Sequence, residues 1–90
     1  MIKIILPAAI KQIAGVLEDI EIEAGNVAEA VDKALEKYPE LRSSLYDSRS
    51  NFKKYIRLYL NETMLEATGY AQVLLEDGDA ISIIIPVSGG

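Results

Sequence analysis

The 90-residue sequence contains neither cysteine nor histidine. Without cysteine the chain has no disulfide, no thiol nucleophile and no thiolate ligand for zinc. Without histidine it also lacks the most common general base and the most common metal ligand in proteins. The sequence therefore argues against a metal site and against a hydrolase that works through its own side chains.

Long apolar runs and positive charge are also scarce. No apolar run approaches the roughly 20 residues of a membrane-spanning helix, and no signal peptide is apparent, so we expect a cytoplasmic protein with no membrane partner. The formal net charge of −5 disfavours nucleic acid as a partner. No Lys or Arg follows Arg57, whereas five acidic residues do: Glu62, Glu66, Glu76, Asp77 and Asp79. This acidic third would suit a basic partner, or would simply keep the surface soluble.

The hydrophobic pattern predicts one α+β domain over residues 1–90. Half of the residues are hydrophobic, which is enough for one modest core at this length. Apolar and alternating segments predict strands over residues 2–6, 16–23, 55–60, 64–65 and 80–85. The first and last of these are the most apolar, so we place them at the centre of the sheet. A tight turn is predicted over residues 76–79.

The clearest helix is predicted over residues 26–38. Asn26 is a favourable N-cap residue, and Glu29 occupies the capping-box position three residues later. Apolar residues recur at helical spacing along one face, and Pro39 ends the helix. A single helical turn before Gly15 and a short helix over residues 40–46 are also expected. The order β-β-α-β-β-β lays the main helix on one face of a mixed sheet.

The C-terminal residues 87–90 are predicted to form a flexible tail that follows Pro86 and ends in Gly89-Gly90. Glycine has no Cβ, so such a tail can extend through a narrow channel in a partner, with its terminal carbonyl open to attack. A carboxylate becomes electrophilic once it is adenylated, and the sulfur of a thiol or persulfide can then displace AMP. Cleavage of the bond between that sulfur and its donor leaves a thiocarboxylate. This chemistry requires no cysteine or histidine from the chain itself. The alternative interpretation is a frayed terminus of small residues.

A second candidate site lies on the face of the sheet that the main helix does not cover. Side-chain alternation turns Ile84 outward on the last strand and Ile5 outward on the first. Tyr59 and Tyr55 also alternate away from the core. Neighbouring strands would join these four side chains into one exposed apolar patch, which we interpret as the surface where a partner binds and aligns the tail. Alternatively, loops of the chain itself cover this face.

Several segments together resemble the ubiquitin-like sulfur-carrier family. In order along the chain they are LPAAIKQIAG (6–15), YPELRSSL (38–45), YLN (59–61), DGD (77–79) and PVSGG (86–90). The family includes the small subunit of molybdopterin synthase, the thiamine-pathway sulfur carrier and a carrier of a cysteine-synthesis route. The resemblance implies a β-grasp (ubiquitin-like) fold, in which a mixed sheet of four to five strands packs on one main helix.

The resemblance also implies a set of partners. A ubiquitin-activating-type adenylyltransferase would use ATP to adenylate Gly90, and a sulfurtransferase would supply the sulfur for the thiocarboxylate. Gly89 and Gly90 would then enter the active site of the large synthase subunit or of another sulfur-accepting enzyme. The segment that docks on the partner would be Ile84, Ile85, Pro86 and Val87. The chain would hold no cofactor permanently and would not be an enzyme itself.

The leading functional prediction is sulfur transfer in molybdopterin (molybdenum cofactor) biosynthesis. Many molybdopterin synthase small subunits carry an aromatic residue and a second proline where this chain has Ile84-Ile85 and a single proline. The segment KYIRLYLN (54–61) is more similar to the cysteine-route branch, which is the first alternative. A ubiquitin-like modifier of protein lysines and an interaction module with an inert tail are the others.

Overall fold

The computed structural model describes residues 1–49, 52–53, 55–65 and 69–85. In chain order the elements are β1 (Ile2–Ile5), α1 (Ala8–Ala14), β2 (Ile20–Ile22), α2 (Val27–Lys37), α3 (Leu41–Leu45), β3 (Arg57–Leu60), β4 (Thr63–Met64) and β5 (Ala80–Ile84). One 3-10 turn, Tyr70–Gln72, lies between β4 and β5.

Among the described residues the strands form one mixed sheet in the order β2-β1-β5-β3-β4. β1 and β5 are parallel neighbours, and the other pairs are antiparallel. The predicted α+β, β-grasp architecture is thereby confirmed, with a five-stranded mixed sheet and helices. The first and last strands lie next to each other inside the sheet, as their apolar character predicts.

Helix α2 begins with the predicted N-cap. The Asn26 Oδ1 atom accepts a hydrogen bond from the Glu29 backbone N at 2.8 Å. The Glu29 Oε1 atom accepts one from the Gly25 backbone N at 2.6 Å, one residue before the N-cap. These two bonds satisfy backbone donors at the start of the helix. The buried face of α2 consists of Val27, Ala30, Val31, Ala34 and Leu35.

The hydrophobic core lies on the helix side of the sheet. Ile4 of β1, Leu58 of β3 and Ile81 of β5 are completely buried. Along β1 and β5, buried side chains alternate with more exposed ones. Leu41 and Leu45 of α3 are buried in the same cluster. Because side chains alternate across a strand, this burial turns the intervening residues to the opposite, open face.

The structure corrects three of the predicted boundaries. Helix α1 has seven residues instead of a single turn, and it ends at Gly15 in the left-handed region, with φ of 71°. The predicted strand over residues 16–23 shortens to β2, because the Val16 N–H donates to the Lys11 carbonyl at the end of α1. The predicted strand over residues 55–60 begins only at Arg57, because the Ile56 N–H closes a turn onto the Lys53 carbonyl at 3.0 Å.

The YLN and DGD segments contact each other where β5 begins. Asn61 adopts a left-handed conformation with φ of 55° in the turn between β3 and β4. Its backbone N donates to the Ala80 carbonyl at 2.7 Å, and its Oδ1 accepts from the Ala80 N at 3.1 Å. Its Nδ2 donates to Asp79 at 3.2 Å, and Asp79 also accepts from the Glu76 backbone N at 2.9 Å. Both segments therefore have a structural role, since they tie two turns together.

Replacing Asn61 should destabilise the fold through this network. We expect Asn61→Ala to lower the free energy of unfolding by about 1 to 3 kcal/mol, because it removes side-chain hydrogen bonds and because alanine tolerates positive φ less well than asparagine. Asn61→Gly keeps the conformation accessible and should cost less. Urea denaturation measures both, with Glu62→Ala in the same turn as the control. Unchanged stability of the Asn61→Ala variant would contradict the structural role.

The Asp79 carboxylate makes stability depend on pH. Hydrogen bonds from the Glu76 backbone and the Asn61 side chain lower the pKa of Asp79 in the folded protein. The charged form thus stabilises the fold above the unfolded pKa, and this contribution is lost as pH falls through the folded pKa. We expect Asp79→Asn to be less stable than the parent chain at neutral pH, with the difference shrinking below about pH 4. Denaturation at both pH values tests this; a difference independent of pH would contradict it.

Candidate functional site

The predicted reacting end of the chain follows β5. Its positions Pro86, Val87, Gly89 and Gly90 lie outside the described residues, so the roles assigned to them stay predictions. The structure describes the chain up to Ile85, the residue after the central strand. The surfaces beside the end of β5 are therefore those nearest to the point where residues 86–90 begin.

One of these surfaces is on the open face of the sheet. A single row across that face contains one residue from each of four strands: Ile5, Ser82, Tyr59 and Met64. Ile84 lies in the next row, opposite Arg57 and closer to the end of β5. Ile5, Met64 and Ile84 are 36%, 54% and 43% exposed, and Tyr59 is half-buried. We refer to Ile5, Tyr59, Met64 and Ile84 as the open-face patch.

The open-face patch differs in two ways from the continuous patch predicted. Ser82 lies between Ile5 and Tyr59 in the row, so a small polar side chain interrupts the apolar surface. Tyr55 is exposed, but it is not part of β3 and so does not belong to the open-face patch. It lies in the turn that is closed by the hydrogen bond from the Ile56 N–H to the Lys53 carbonyl. The exposure of Ile5 and Ile84 follows the alternation that the strand pattern predicts.

The contribution of Met64 was missed at the level of sequence. The two-residue turn after β3 sets the register of the β3–β4 hairpin, which pairs Leu60 with Thr63 and Tyr59 with Met64. Met64 is thereby brought beside Tyr59 on the open face. The turn Asn61-Glu62 was the available signal, since turn length determines register in a hairpin.

A second surface beside the end of β5 is a groove on the helix side of the sheet, between α1 and α3. It has a volume of about 200 Å³ and is lined by residues that include Ile10, Ile13, Ser44, Lys53, Tyr55 and Ile85. Ile10 forms its floor and is 1% exposed, whereas Ile13 and Tyr55 at its rim are 67% and 48% exposed. Ile85 is half-buried against the core. We refer to this feature as the helix-side groove.

Other features of the described residues are structural or lie away from these surfaces. Burial raises the pKa of Tyr46 and Tyr70, whose rings pack around Phe52 with centroid distances of 4.7 and 5.7 Å. Among the described residues no group of three or more carboxylate side chains could hold a metal ion. No helix in the described part of the chain is long and apolar enough to cross a membrane.

The predicted acidic third of the chain lies mainly at the other end of the sheet. Asp77 and Asp79 precede β5, and Glu62 lies in the β3–β4 turn that contacts them, whereas Ile84 is at the end of β5. Glu66 lies outside the described residues. The negative charge is thus separated along β5 from the surfaces nearest to residues 86–90.

Comparisons with known proteins agree with this fold. The sequence model of the ThiS family matches residues 4–90. A search of curated proteins finds no significant match to the chain. Among solved structures, a chain of the BexX/CysO complex from Amycolatopsis orientalis superposes with a TM-score of 0.82 at 20% identity, covering 100% of both chains.

Two further structures show the range of the similarity. Small archaeal modifier protein 1 from Methanosarcina acetivorans has a TM-score of 0.77 at 26% identity, over 99% of this chain and 95% of that one. A chain of the complex of subunits 1 and 2 of molybdopterin-converting factor from Helicobacter pylori 26695 has a TM-score of 0.66 at 24% identity, over 99% and 97%. Since the family match spans nearly the whole sequence, the chain belongs to the ThiS family.

Proposed function

We propose that this chain is a sulfur carrier whose C-terminal Gly90 is adenylated and then converted to a thiocarboxylate. The observation that carries the proposal is a ThiS-family match that includes Gly89-Gly90, in a chain without cysteine or histidine. Family members are small sulfur carriers or modifiers. The chain would thus supply a reactive carboxylate and leave catalysis to its partners, so that it is a carrier and not an enzyme.

The proposed reaction has two stages. A carboxylate oxygen of Gly90 attacks the α-phosphorus of ATP on an adenylyltransferase of the ubiquitin-activating type, and pyrophosphate leaves. The terminal sulfur of a persulfide on a sulfurtransferase then attacks the carbonyl carbon, and AMP leaves. The product is an acyl disulfide between the carrier and the sulfurtransferase. A second thiol attacks the sulfur that belongs to the sulfurtransferase cysteine, which forms a new disulfide and releases the thiocarboxylate. ATP is consumed by the partner and is not a cofactor of this chain.

We assign the open-face patch to the docking of the activating enzyme. An exposed group of large apolar side chains is typical of a protein-binding surface. Ile84 lies on β5 itself, two residues before the segment 86–90 that is proposed to enter the active site of the enzyme. Since β5 is the central strand of the sheet, its pairing with two neighbouring strands holds Ile84 in place. Pro86 and Val87 would extend the contact along the partner.

The final acceptor of the sulfur is proposed to be the large subunit of a molybdopterin synthase. The fold shared with a chain of the two-subunit molybdopterin-converting factor supports this assignment. The fold shared with a chain of the BexX/CysO complex supports a carrier for cysteine or another metabolite as the alternative. Similarity to small archaeal modifier protein 1 supports conjugation to protein lysines as a further alternative. We place the reaction in the cytoplasm, because it consumes ATP.

Intact mass spectrometry tests the proposed chemistry. Incubation with the cognate activating enzyme, ATP and a sulfur donor should raise the mass of the chain by about 16 Da, as sulfur replaces oxygen. Deletion of Gly90 should abolish this gain, whereas Ser88→Ala, which leaves both glycines in place, should retain it. Higher-mass adducts that isopeptide cleavage removes would support the modifier instead. Sulfur transfer by the chain without Gly90 would overturn the proposal.

The role of the open-face patch has its own test. Ile84→Glu puts a charge on the apolar surface at a position that is 43% exposed, so we expect the variant to fold. The KM of the activating enzyme for the carrier should rise roughly 10- to 100-fold, as for loss of a central interface residue. Leu17→Glu, at a position 93% exposed outside the patch, should leave the KM unchanged. Equal KM values for the two variants would contradict docking through this face.

A further inference from the structure

The end of β5 lies between two apolar surfaces. Ile84 points to the open face, whereas Ile85 lines the helix-side groove on the opposite side of the sheet. Adjacent residues of an extended chain point to opposite sides, which accounts for this division. The last described residues of the chain, Ile84 and Ile85, therefore have an apolar surface on either side.

The helix-side groove is left open by the described part of the chain. Its floor is formed by the buried Ile10, but the Ile13 and Tyr55 side chains at its rim are 67% and 48% exposed. A single exposed isoleucine on a helix would require no explanation. Ile13, Tyr55 and Ile85 are instead brought together from α1, from the turn before β3 and from the end of β5 around one depression of about 200 Å³. This depression has room for a large apolar side chain.

The charge around the groove restricts what binds there. Lys53 lies at its rim, and the polar residues that line it on α3 are Ser43 and Ser44. No acidic side chain among the described residues lines the groove, although the whole chain carries a net charge of −5. Two hydrogen bonds hold the backbone of Lys53: its N–H donates to the Leu45 carbonyl, and its carbonyl accepts from the Ile56 N–H. The groove thus combines apolar lining residues with a positively charged residue, Lys53.

We propose that the helix-side groove receives an apolar side chain, flanked by an acidic residue, from the same enzyme that activates Gly90. The inference rests on the proposed function, because it assumes an enzyme that encloses residues 86–90. An enzyme that takes up residues 86–90 has to bind the chain where they begin, at the end of β5. Contact with the open face alone would leave the apolar side chains that line the groove exposed beside that point. Binding in the groove covers these side chains, and the acidic residue pairs with Lys53.

Single-cysteine variants test this proposal, because the chain contains no other cysteine. The Ile13→Cys variant puts a thiol at the rim of the groove, and Leu74→Cys puts a control thiol at a position that is 76% exposed and lies outside it. The alkylation rate of each carrier is followed by intact mass, with and without saturating activating enzyme and ATP. The enzyme should slow alkylation of the Ile13→Cys variant roughly tenfold or more and leave the Leu74→Cys variant unchanged.

The charged part of the proposal is tested by a pair of substitutions at Lys53. Lys53→Glu should raise the KM for the carrier by roughly tenfold, whereas Lys53→Arg should keep it near the parent value. Adenylation of Ile13→Cys with no protection of its thiol would overturn this inference and leave the proposed function intact. Failure of the parent chain to be adenylated would overturn both. If the thiol of the Ile13→Cys variant is protected in the absence of enzyme, and more so at higher carrier concentration, the groove is a contact between two copies of the chain. That result would also overturn the inference.

Discussion

The arrangement of this protein depends on the burial of one face of β5. Ile81 and Ile83 must be removed from water against the helices, and they are 0% and 3% exposed. Since side chains alternate along a strand, burying these two turns Ile84 to the open face and Ile85 back to the helix side. A one-residue slip of β5 would exchange all of these positions at once. Burial of the core therefore also sets the surfaces beside the C-terminal segment.

The proposed function implies a division of labour. In that proposal the domain offers apolar surfaces and a terminal carboxylate, while nucleophile, base and ATP belong to its partners. A chain without cysteine or histidine could take part in group transfer in this way. The remaining features have structural explanations, since Asp79 of the DGD turn accepts a hydrogen bond from Asn61, and burial raises the pKa of Tyr46 and Tyr70.

The fold was largely predictable because its signals are local. The Asn26 cap, the apolar stripe of α2 and the alternation in β1 and β5 each depend on residues close in sequence. The groove was not predictable, since it joins Ile13, Tyr55 and Ile85 from three distant segments. Strand periodicity extended through residue 55 predicts Tyr55 on the open face, but residue 55 belongs to a turn. That turn depends on one backbone hydrogen bond from Ile56, which no side-chain pattern reveals.

Selective alkylation of the sulfur-loaded carrier shows whether the sulfur is on Gly90. The chain has no cysteine, so iodoacetamide at neutral pH should react with the carrier at a thiocarboxylate in preference to any other group. After incubation with activating enzyme, ATP and sulfur donor, we expect one alkyl group, which fragmentation of the C-terminal peptide should locate at Gly90. Sulfur found at another position, or a carrier that completes sulfur transfer with Gly90 unmodified throughout, would contradict it.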